Sequence, residues 1–255
     1  MFSDLSNEQN LVILLSRLTF FEENLIEIEK IIKENLNWYD IFNMSTKNKV
    51  LNLIYYNLKR FNYDKFISPN LERILIFNYL GTQNRNTILL KELNNIMNVM
   101  KINKVPCIPL KGANLIPNIY KDLGIRNMND LDFMINKENA DTISQILFSL
   151  GYDQGEYDSE VNIIKPVSRE KKILWAMNMN NLLPFIKKVD DKFVSFIELD
   201  FCFSLDLNLD INPVSTMLQR AQEYKELETC DFLFSYVAIY IKKQQIVCGL
   251  LLKKI

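Results

Sequence analysis

Histidine is missing from this chain of 255 residues. Its absence excludes Ser-His and Cys-His catalysis, zinc sites built on imidazole, and histidine as a general base. Any chemistry must therefore depend on carboxylates, lysine, tyrosine or cysteine. Cysteine is also scarce, and none of the four cysteines has the C-x-x-C spacing of a redox or metal motif. This favours reduced thiols in a cytoplasmic protein.

An excess of charge of either sign is missing as well. The chain has 30 basic and 31 acidic residues, so no broad basic face is expected to draw it to a polyanion. We therefore expect no stable complex with nucleic acid. The apolar run from Phe232 to Ile241 is much shorter than the roughly 20 residues that cross a bilayer, and the polar, acidic start predicts no secretory signal. No membrane association is expected.

Glycine is absent from residues 1–80, which contain one proline, Pro69. Apolar residues recur there at helical spacing, for example at Leu11, Leu14, Leu15 and Leu18, which is typical of amphipathic helices. We predict four or five helices in residues 1–103, with a longer one over about 82–101. This region either packs as a cap on a catalytic core or recognises a substrate.

The periodicity changes after residue 103. Residues 105–110 are apolar and contain two prolines, which predicts a strand near the edge of a sheet. Further strands are predicted at 131–135 and 193–203, and a helix follows Asn136 and ends at Gly151. The polar residues 153–192 predict a hairpin plus a loop. We therefore predict a core over 104–210 and a C-terminal helical segment over 211–255.

Two aspartates in the sequence Asp130-Leu131-Asp132 are two positions apart. Residues at that spacing in a strand point to the same face, and two such carboxylates repel each other unless a cation lies between them. Mg²⁺ prefers oxygen ligands of this kind. The loop Lys111-Gly112, which follows an apolar strand, could hold a phosphate group. The combination suggests phosphoryl or nucleotidyl transfer; the alternative is a pair of surface aspartates in a turn.

Five sequence elements occur in a specific order. They are an L-K-G loop at 110–112, Tyr120, G-x-R at 124–126, D-L-D at 130–132, and L-G-Y at 150–152. Their combination resembles a bacterial nucleotidyltransferase-like family of the DNA-polymerase-beta-like superfamily. The resemblance implies an α+β fold, in which a small mixed β-sheet nucleotidyltransferase core is flanked by an α-helical N-terminal region. It also implies Mg²⁺ as cofactor and an NTP, with ATP favoured, as co-substrate.

The resemblance assigns roles to four acids. Asp130 and Asp132 correspond to the two acids that hold the metal ions. Glu198 and Asp200 share one face of the strand predicted at 193–203, where the superfamily has a third acid that can bind metal and act as a base. We favour Glu198 as this acid, with Asp200 as the alternative. Asp200 occupies the position where the family usually has histidine, which argues against the usual acceptor pocket.

The resemblance also assigns phosphate-binding roles to Lys111, Gly112 and Arg126. Lys111 and Gly112 occupy the place of the superfamily's glycine-serine pair, and Pro117 predicts that the helix after them is short or kinked. The alternative interpretation is that Lys111 is an exposed lysine in a turn with no role in binding phosphate. The Arg126 guanidinium either binds the triphosphate or pairs with Asp130 or Asp132.

Three hypotheses for the function follow. The first is a Mg²⁺-dependent nucleotidyltransferase that moves an NMP group from an NTP to a hydroxyl or phosphate on a small molecule, peptide or protein. The second is a nucleotide-binding or scaffold protein of the same fold that has lost catalysis. The third is an interaction module whose helical half is the working part. Relatives in the family usually continue with further helices, so the C-terminal segment is either naturally short or truncated.

Overall fold

The computed structural model describes residues 4–204, 213–224 and 231. The helices within these residues are α1 Asn7–Leu15, α2 Glu22–Ile32, α3 Trp38–Lys47, α4 Leu51–Arg60, α5 Pro69–Ile102, α6 Lys111–Leu115, α7 Ala140–Ser149, α8 Arg169–Asn178 and α9 Val214–Tyr224. The strands are β1 Cys107–Pro109, β2 Leu131–Ile135, β3 Gly155–Asp158, β4 Ile163–Pro166, β5 Phe185–Lys188 and β6 Phe196–Cys202. The α+β class with a helical N-terminal region is therefore confirmed.

The chain divides into two compact units. The first contains residues Met1–Ile88 and Leu115–Met128, and the second contains Leu89–Asn114 and Asn129–Ile255. One division between them falls within α5, and another falls at the end of α6.

The first unit is helical because its apolar residues recur on one face of each helix. Leu11, Leu15, Ile28, Ile31 and Leu58 belong to a single buried cluster. Ser6 caps α1 in a capping box with Gln9. The helix predicted over about 82–101 begins earlier, at Pro69, where proline suits the first helical position.

The second unit contains a four-stranded sheet in the order β1-β2-β6-β5. β2 and β6 are parallel, and the two outer strands pair antiparallel to them. β1 lies at the edge of the sheet, as its prolines predict. Phe133 and Phe201 are partners in the parallel register, and their rings stack with centroids 4.8 Å apart. Because a slip of one residue would turn these rings to the opposite face, they help to fix the register.

The segment between α7 and β6 contains more structure than the predicted hairpin and loop. The hairpin is present as β3 and β4, but α8 and β5 follow it. Ser168 caps α8, and none of the α8 residues is fully buried. The expectation of a loop was wrong because α8 has little of the buried apolar periodicity from which helices are recognised.

The C-terminal prediction falls mostly outside the described residues. Within them, α9 packs on the sheet through Val214, Met217, Leu218 and Ala221. Residues 205–212, 225–230 and 232–255, with Cys230 and Cys248, are not among those described. None of the helices in the described parts of the chain is both long enough and apolar enough to cross a membrane.

Candidate functional site

The acids of the predicted site meet on one face of the sheet in the second unit. Asp132 on β2 lies opposite Asp200 on β6 in the parallel register. Along β6, exposure alternates, so that Glu198, Asp200 and Cys202 lie on the more open face while Leu199 is buried. Asp130 directly precedes β2. The same register that stacks the phenylalanines on one side of the sheet therefore brings Asp132 and Asp200 together on the other.

A lysine neutralises part of this cluster. The Lys111 ammonium forms an ion pair with Asp132, and the two side chains are 21% and 6% exposed. Lys111 has φ 46°, in the left-handed region that non-glycine residues rarely adopt. The Leu110 amide just before it donates a 2.8 Å hydrogen bond to the Asp132 carbonyl. This bond extends the pairing of β1 with β2 and leads the chain to the point from which Lys111 reaches the acid.

Burial and charge shift the protonation of the site. Burial raises the pKa of Asp132 to about 6, against the opposing effect of Lys111. Burial acts to lower the pKa of the Lys111 ammonium. The carboxylate of Asp132, with smaller contributions from Asp130 and Asp200, outweighs burial and raises this pKa above the ordinary value. The pKa of Glu198 is raised by burial and then by Asp130 and Asp200. The four carboxylates therefore repel one another, and added positive charge would stabilise the cluster.

Asp200 and Glu198 differ in their surroundings. The side-chain amide of Asn181 donates a 2.7 Å hydrogen bond to Asp200, which fixes the orientation of this carboxylate. The Glu198 side chain makes no hydrogen bond or ion pair with another side chain in the described parts of the chain. Its carboxylate is therefore the more available of the two for a ligand.

The donor chemistry of the cluster suits a hard divalent cation, since all the anionic groups are carboxylates. Within the described residues, however, no group of three Asp, Glu, His or Cys side chains has the spacing of a metal site. Mg²⁺ is usually bound by one or two carboxylates together with substrate phosphates, rather than by a cage of protein ligands. The cluster thus fits an ion that arrives with a nucleotide better than an ion held by protein alone.

The remaining phosphate-binding candidates lie in two places. Gly112 is buried in α6, next to Lys111. A π-helical turn, Ile116–Tyr120, follows directly and contains Pro117, so the prediction of a short or kinked helix is confirmed. Arg126 belongs to the first unit. There its guanidinium lies 6.0 Å from the centre of the Tyr120 ring, and its Nε is buried without a hydrogen-bond partner among the described residues.

The loop that carries Arg126 is fixed by a residue that the sequence did not single out. Asn86 on α5 is fully buried and donates to the carbonyls of Leu123 and Arg126, at 2.7 and 2.6 Å. Its side-chain oxygen accepts a 3.2 Å hydrogen bond from the Met128 amide. These bonds hold the backbone of the G-x-R loop from both sides. Asn86 and Asn181 were missed because asparagine within a helical or polar segment has no distinctive pattern.

Gly124, the glycine of the same loop, permits a close approach of the Tyr79 ring to the loop backbone. A Cβ at this position would lie 2.4 Å from the Tyr79 ring. The Tyr79 hydroxyl donates a 2.6 Å hydrogen bond to Asp122, and the Gly124 amide donates to the same carboxylate oxygen at 2.8 Å. The requirement for glycine here is thus one of packing within the first unit.

Comparison with known proteins identifies a family for this chain. A family model described as an uncharacterised nucleotidyltransferase matches residues 34–230. No curated protein and no solved structure matches the chain. The match covers most of the chain, including the L-K-G loop, the G-x-R loop and all four acids. The chain therefore belongs to this uncharacterised family of nucleotidyltransferases.

Proposed function

We propose that the protein transfers an NMP group from an NTP, with ATP favoured, to a hydroxyl or phosphate on a small molecule, peptide or protein. The observation that carries this proposal is the carboxylate cluster on one sheet face, in which Asp132 and Asp200 are partners in register and Lys111 provides the positive charge. The family match supports a general nucleotidyltransferase role. The acceptor, the NTP and the metal are parts of the proposal.

The side chains around the cluster have distinct roles in this mechanism. Lys111 and Gly112, both in the second unit, bind phosphate oxygens. Glu198 accepts the proton of the attacking hydroxyl. The hydrogen bond from Asn181 holds Asp200 in a fixed orientation beside it. Asp130 and Asp132, with Glu198 as the third acid, would hold a Mg²⁺ ion that arrives with the nucleotide, and this ion would supply positive charge opposite the phosphates.

The reaction is balanced without a further reagent. The acceptor oxygen forms a bond to the α-phosphorus, the bond from this phosphorus to the oxygen bridging to the β-phosphate breaks, and pyrophosphate leaves. Positioning and electrostatic stabilisation provide most of the catalysis in such displacements. The raised pKa of Glu198 suits a base, because it brings the carboxylate closer to the pH at which the reaction takes place.

The first experiment measures Mg²⁺-dependent ATP binding by calorimetry. The double variant Asp130→Asn/Asp132→Asn should lose it, because both metal-binding acids are gone, while Asp141→Asn, an exposed aspartate on α7, should keep it. Unchanged ATP affinity in the double variant would contradict the metal site. Turnover is then followed as pyrophosphate release with each NTP and a panel of acceptors, and mass spectrometry of the acceptor identifies the added NMP group.

The Lys111–Asp132 ion pair favours a second function. The Lys111 ammonium already neutralises the Asp132 carboxylate. A protein of this fold that binds nucleotide without catalysis would retain such an ion pair. That protein would bind ATP equally well with and without Mg²⁺ and would release no pyrophosphate with any acceptor. The same calorimetry and pyrophosphate measurements therefore separate the two functions.

The nearly balanced charge of the chain gives little electrostatic attraction to nucleic acid, so we propose an acceptor other than DNA or bulk RNA. Filter binding tests this directly. Micromolar retention of tRNA that weakens steeply with salt would overturn this part of the proposal.

A further inference from the structure

A cavity of about 320 Å³ opens beside Glu198, within the second unit. Its walls come from the β3–β4 hairpin, from α8 and the segment that follows it, and from β5 and β6. Besides Glu198, the residues that define its character are Tyr157, Val167, Trp175, Leu183, Ile186 and Phe196. Ile186 is the partner of Glu198 in the pairing of β5 with β6, so the cavity lies on the same face of the sheet as the acids.

Apolar side chains, three of them aromatic, form a large part of the walls. The rings of Tyr157 and Phe196 pack against each other with centroids 4.5 Å apart. Glu156 and Lys171, which also border the cavity, form an ion pair with each other. Glu198 is then the charged side chain of the lining that remains without an ion pair in the described parts of the chain. A ligand in this cavity would meet planar apolar surfaces along its body and one carboxylate at its end.

Hydrogen bonds connect the cavity wall to the acid cluster. The Trp175 indole N–H donates a 3.1 Å hydrogen bond to the Asn181 carbonyl, and the Asn181 side chain donates to Asp200. The hairpin is tied to β5 by two backbone hydrogen bonds between Asp153 and Ile186, at 2.9 and 2.8 Å. The cavity is therefore formed in advance, and such preorganisation favours binding because little has to be ordered when the ligand enters.

Gly155 at the start of β3 keeps the hairpin strands close to each other. A Cβ at this position would lie 2.5 Å from the Ile164 side chain and 2.6 Å from the Lys165 carbonyl. A larger residue would therefore push β4 away from β3. Since both strands support the hairpin wall, this glycine is needed for the shape of the cavity.

We propose that this cavity binds the acceptor, and that the acceptor is a phenol-class molecule: a planar, uncharged ring that carries a hydroxyl directed at Glu198. The cavity volume agrees with a ligand of this size. An apolar cavity of about 150 Å³ holds benzene, and this cavity accommodates one ring with substituents or two fused rings. An anionic body is disfavoured by Glu198 and the neighbouring acids. The ring contacts the aromatic walls, and the hydroxyl donates to the carboxylate.

The phenol class also suits the chemistry, and here the inference rests on the proposed function. The phenolic oxygen bonds to the α-phosphorus of the NTP, pyrophosphate leaves, and the hydroxyl proton passes to Glu198. A phenol has a pKa near 10, so it releases this proton more readily than an alkyl alcohol does. The phenol group can belong to a small molecule or to a tyrosine side chain of a polypeptide.

The test uses NMR of the intact protein labelled with ¹⁵N, without nucleotide. The chain has two tryptophans, Trp38 and Trp175, and therefore two indole N–H signals, which Trp175→Phe assigns. Titration with 4-methylphenol should shift the Trp175 signal in a saturable way and leave the Trp38 signal unchanged. Toluene, which lacks the hydroxyl, should bind more weakly. N-acetyl-tyrosinamide and a short tyrosine peptide distinguish a polypeptide acceptor from a small molecule, because only a polypeptide site should bind the peptide more tightly than 4-methylphenol.

Variants locate the binding. Val167→Trp should fill the cavity from a loop and weaken 4-methylphenol binding by roughly tenfold or more, since the ligand and the new ring compete for the same volume. Glu198→Gln should reduce the preference for 4-methylphenol over toluene. Leu174→Ala is the matched control, because Leu174 lies on the same helix as Trp175 but is 61% exposed and does not line the cavity.

Several outcomes would overturn the inference. These are the absence of a Trp175 shift with any phenol, equal binding by the wild type and Val167→Trp, and a loss of ATP affinity instead of phenol affinity in Val167→Trp. The last result would show that the cavity holds the nucleobase. The nucleotidyltransferase proposal and the phenol proposal can be contradicted independently. If ATP binds and phenols do not, only the assignment of the acceptor is wrong. If phenols bind and no NTP does, the nucleotidyltransferase proposal falls and the cavity remains a phenol site.

Discussion

The two halves of one sheet face differ although they share the same strands. Toward the ends of β2 and β6, Met134 lies opposite Cys202, and α9 covers this half with apolar side chains. Two residues earlier on each strand, Asp132 lies opposite Asp200, and this half carries the acids. The first half is part of the core, and the second is the candidate site. The same sheet face therefore belongs to the core at one residue pair and to the candidate site two residues earlier, at the point where α9 no longer covers it.

The largest expected effect is the replacement of an acid in the open half. Glu198→Gln should retain ATP binding but lower the rate of transfer by about 10² to 10⁴-fold, the range typical of the loss of a general base. Pyrophosphate release measures the rate, and calorimetry measures the binding. If Asp200→Asn is inactive while Glu198→Gln is active, Asp200 is the base and the assignment of the two acids is wrong.

The covered half should respond in stability instead. Met134→Ala removes a fully buried side chain beneath α9 and should lower the free energy of unfolding by about 2 to 5 kcal/mol. Urea unfolding followed by circular dichroism measures this loss, with Met177→Ala, at an exposed position of α8, as the control. The affinity of the folded variant for ATP should stay unchanged. A large fall in this affinity would show that the two halves are not separate in function.

A variant of Asn181 tests how far the rate of transfer depends on the orientation of Asp200. Asn181→Ala removes the hydrogen bond to this carboxylate and should lower the rate of transfer on the order of tenfold, as expected for a hydrogen bond to a charged group. Affinity for ATP should hardly change, and Asn178→Ala, an exposed asparagine on α8, should have no effect. An equal loss of rate and affinity would point to general disruption of the site instead of the orientation of Asp200.

The smallest effect is expected at Glu92, a half-buried carboxylate elsewhere in the second unit. Glu92 accepts hydrogen bonds from Lys187 and Tyr152, both at 2.8 Å. Burial acts to raise the pKa of Glu92, but these bonds outweigh it and lower the pKa below the ordinary value. A lowered pKa in the folded state means that Glu92 stabilises the protein above the unfolded value, near pH 4.3, and that this contribution is lost as the pH falls through the folded value.

Glu92→Gln should therefore reduce the unfolding free energy at neutral pH by about 1.5 kcal/mol, and the difference from the wild type should shrink below pH ~4. Urea unfolding at a series of pH values measures this difference, with the exposed Glu138→Gln as control. A difference that grows in acid would contradict the assigned direction of the pKa shift.

The local patterns of the chain were enough to predict much of the fold. Helical spacing of apolar residues predicted the helical N-terminal region, the prolines placed β1 at an edge, and the ordered motifs predicted the family. The segment after β4 was harder, since α8 buries none of its residues fully, and no apolar stripe marks it. Patterns of period 3.6 or 2 can be recognised only where one face of an element is buried.

By itself, the sequence determined which residues are available for chemistry: acids two apart on one strand, a lysine after β1, and no histidine anywhere. Only the tertiary structure decided how they meet. The ion pair of Lys111 with Asp132, the alignment of Asp132 with Asp200, and the hydrogen bond from Asn181 all join residues from different elements. The physical reason is that spacing along the chain sets the direction of a side chain within its own strand or helix, whereas its neighbours depend on strand register and on which surfaces are covered.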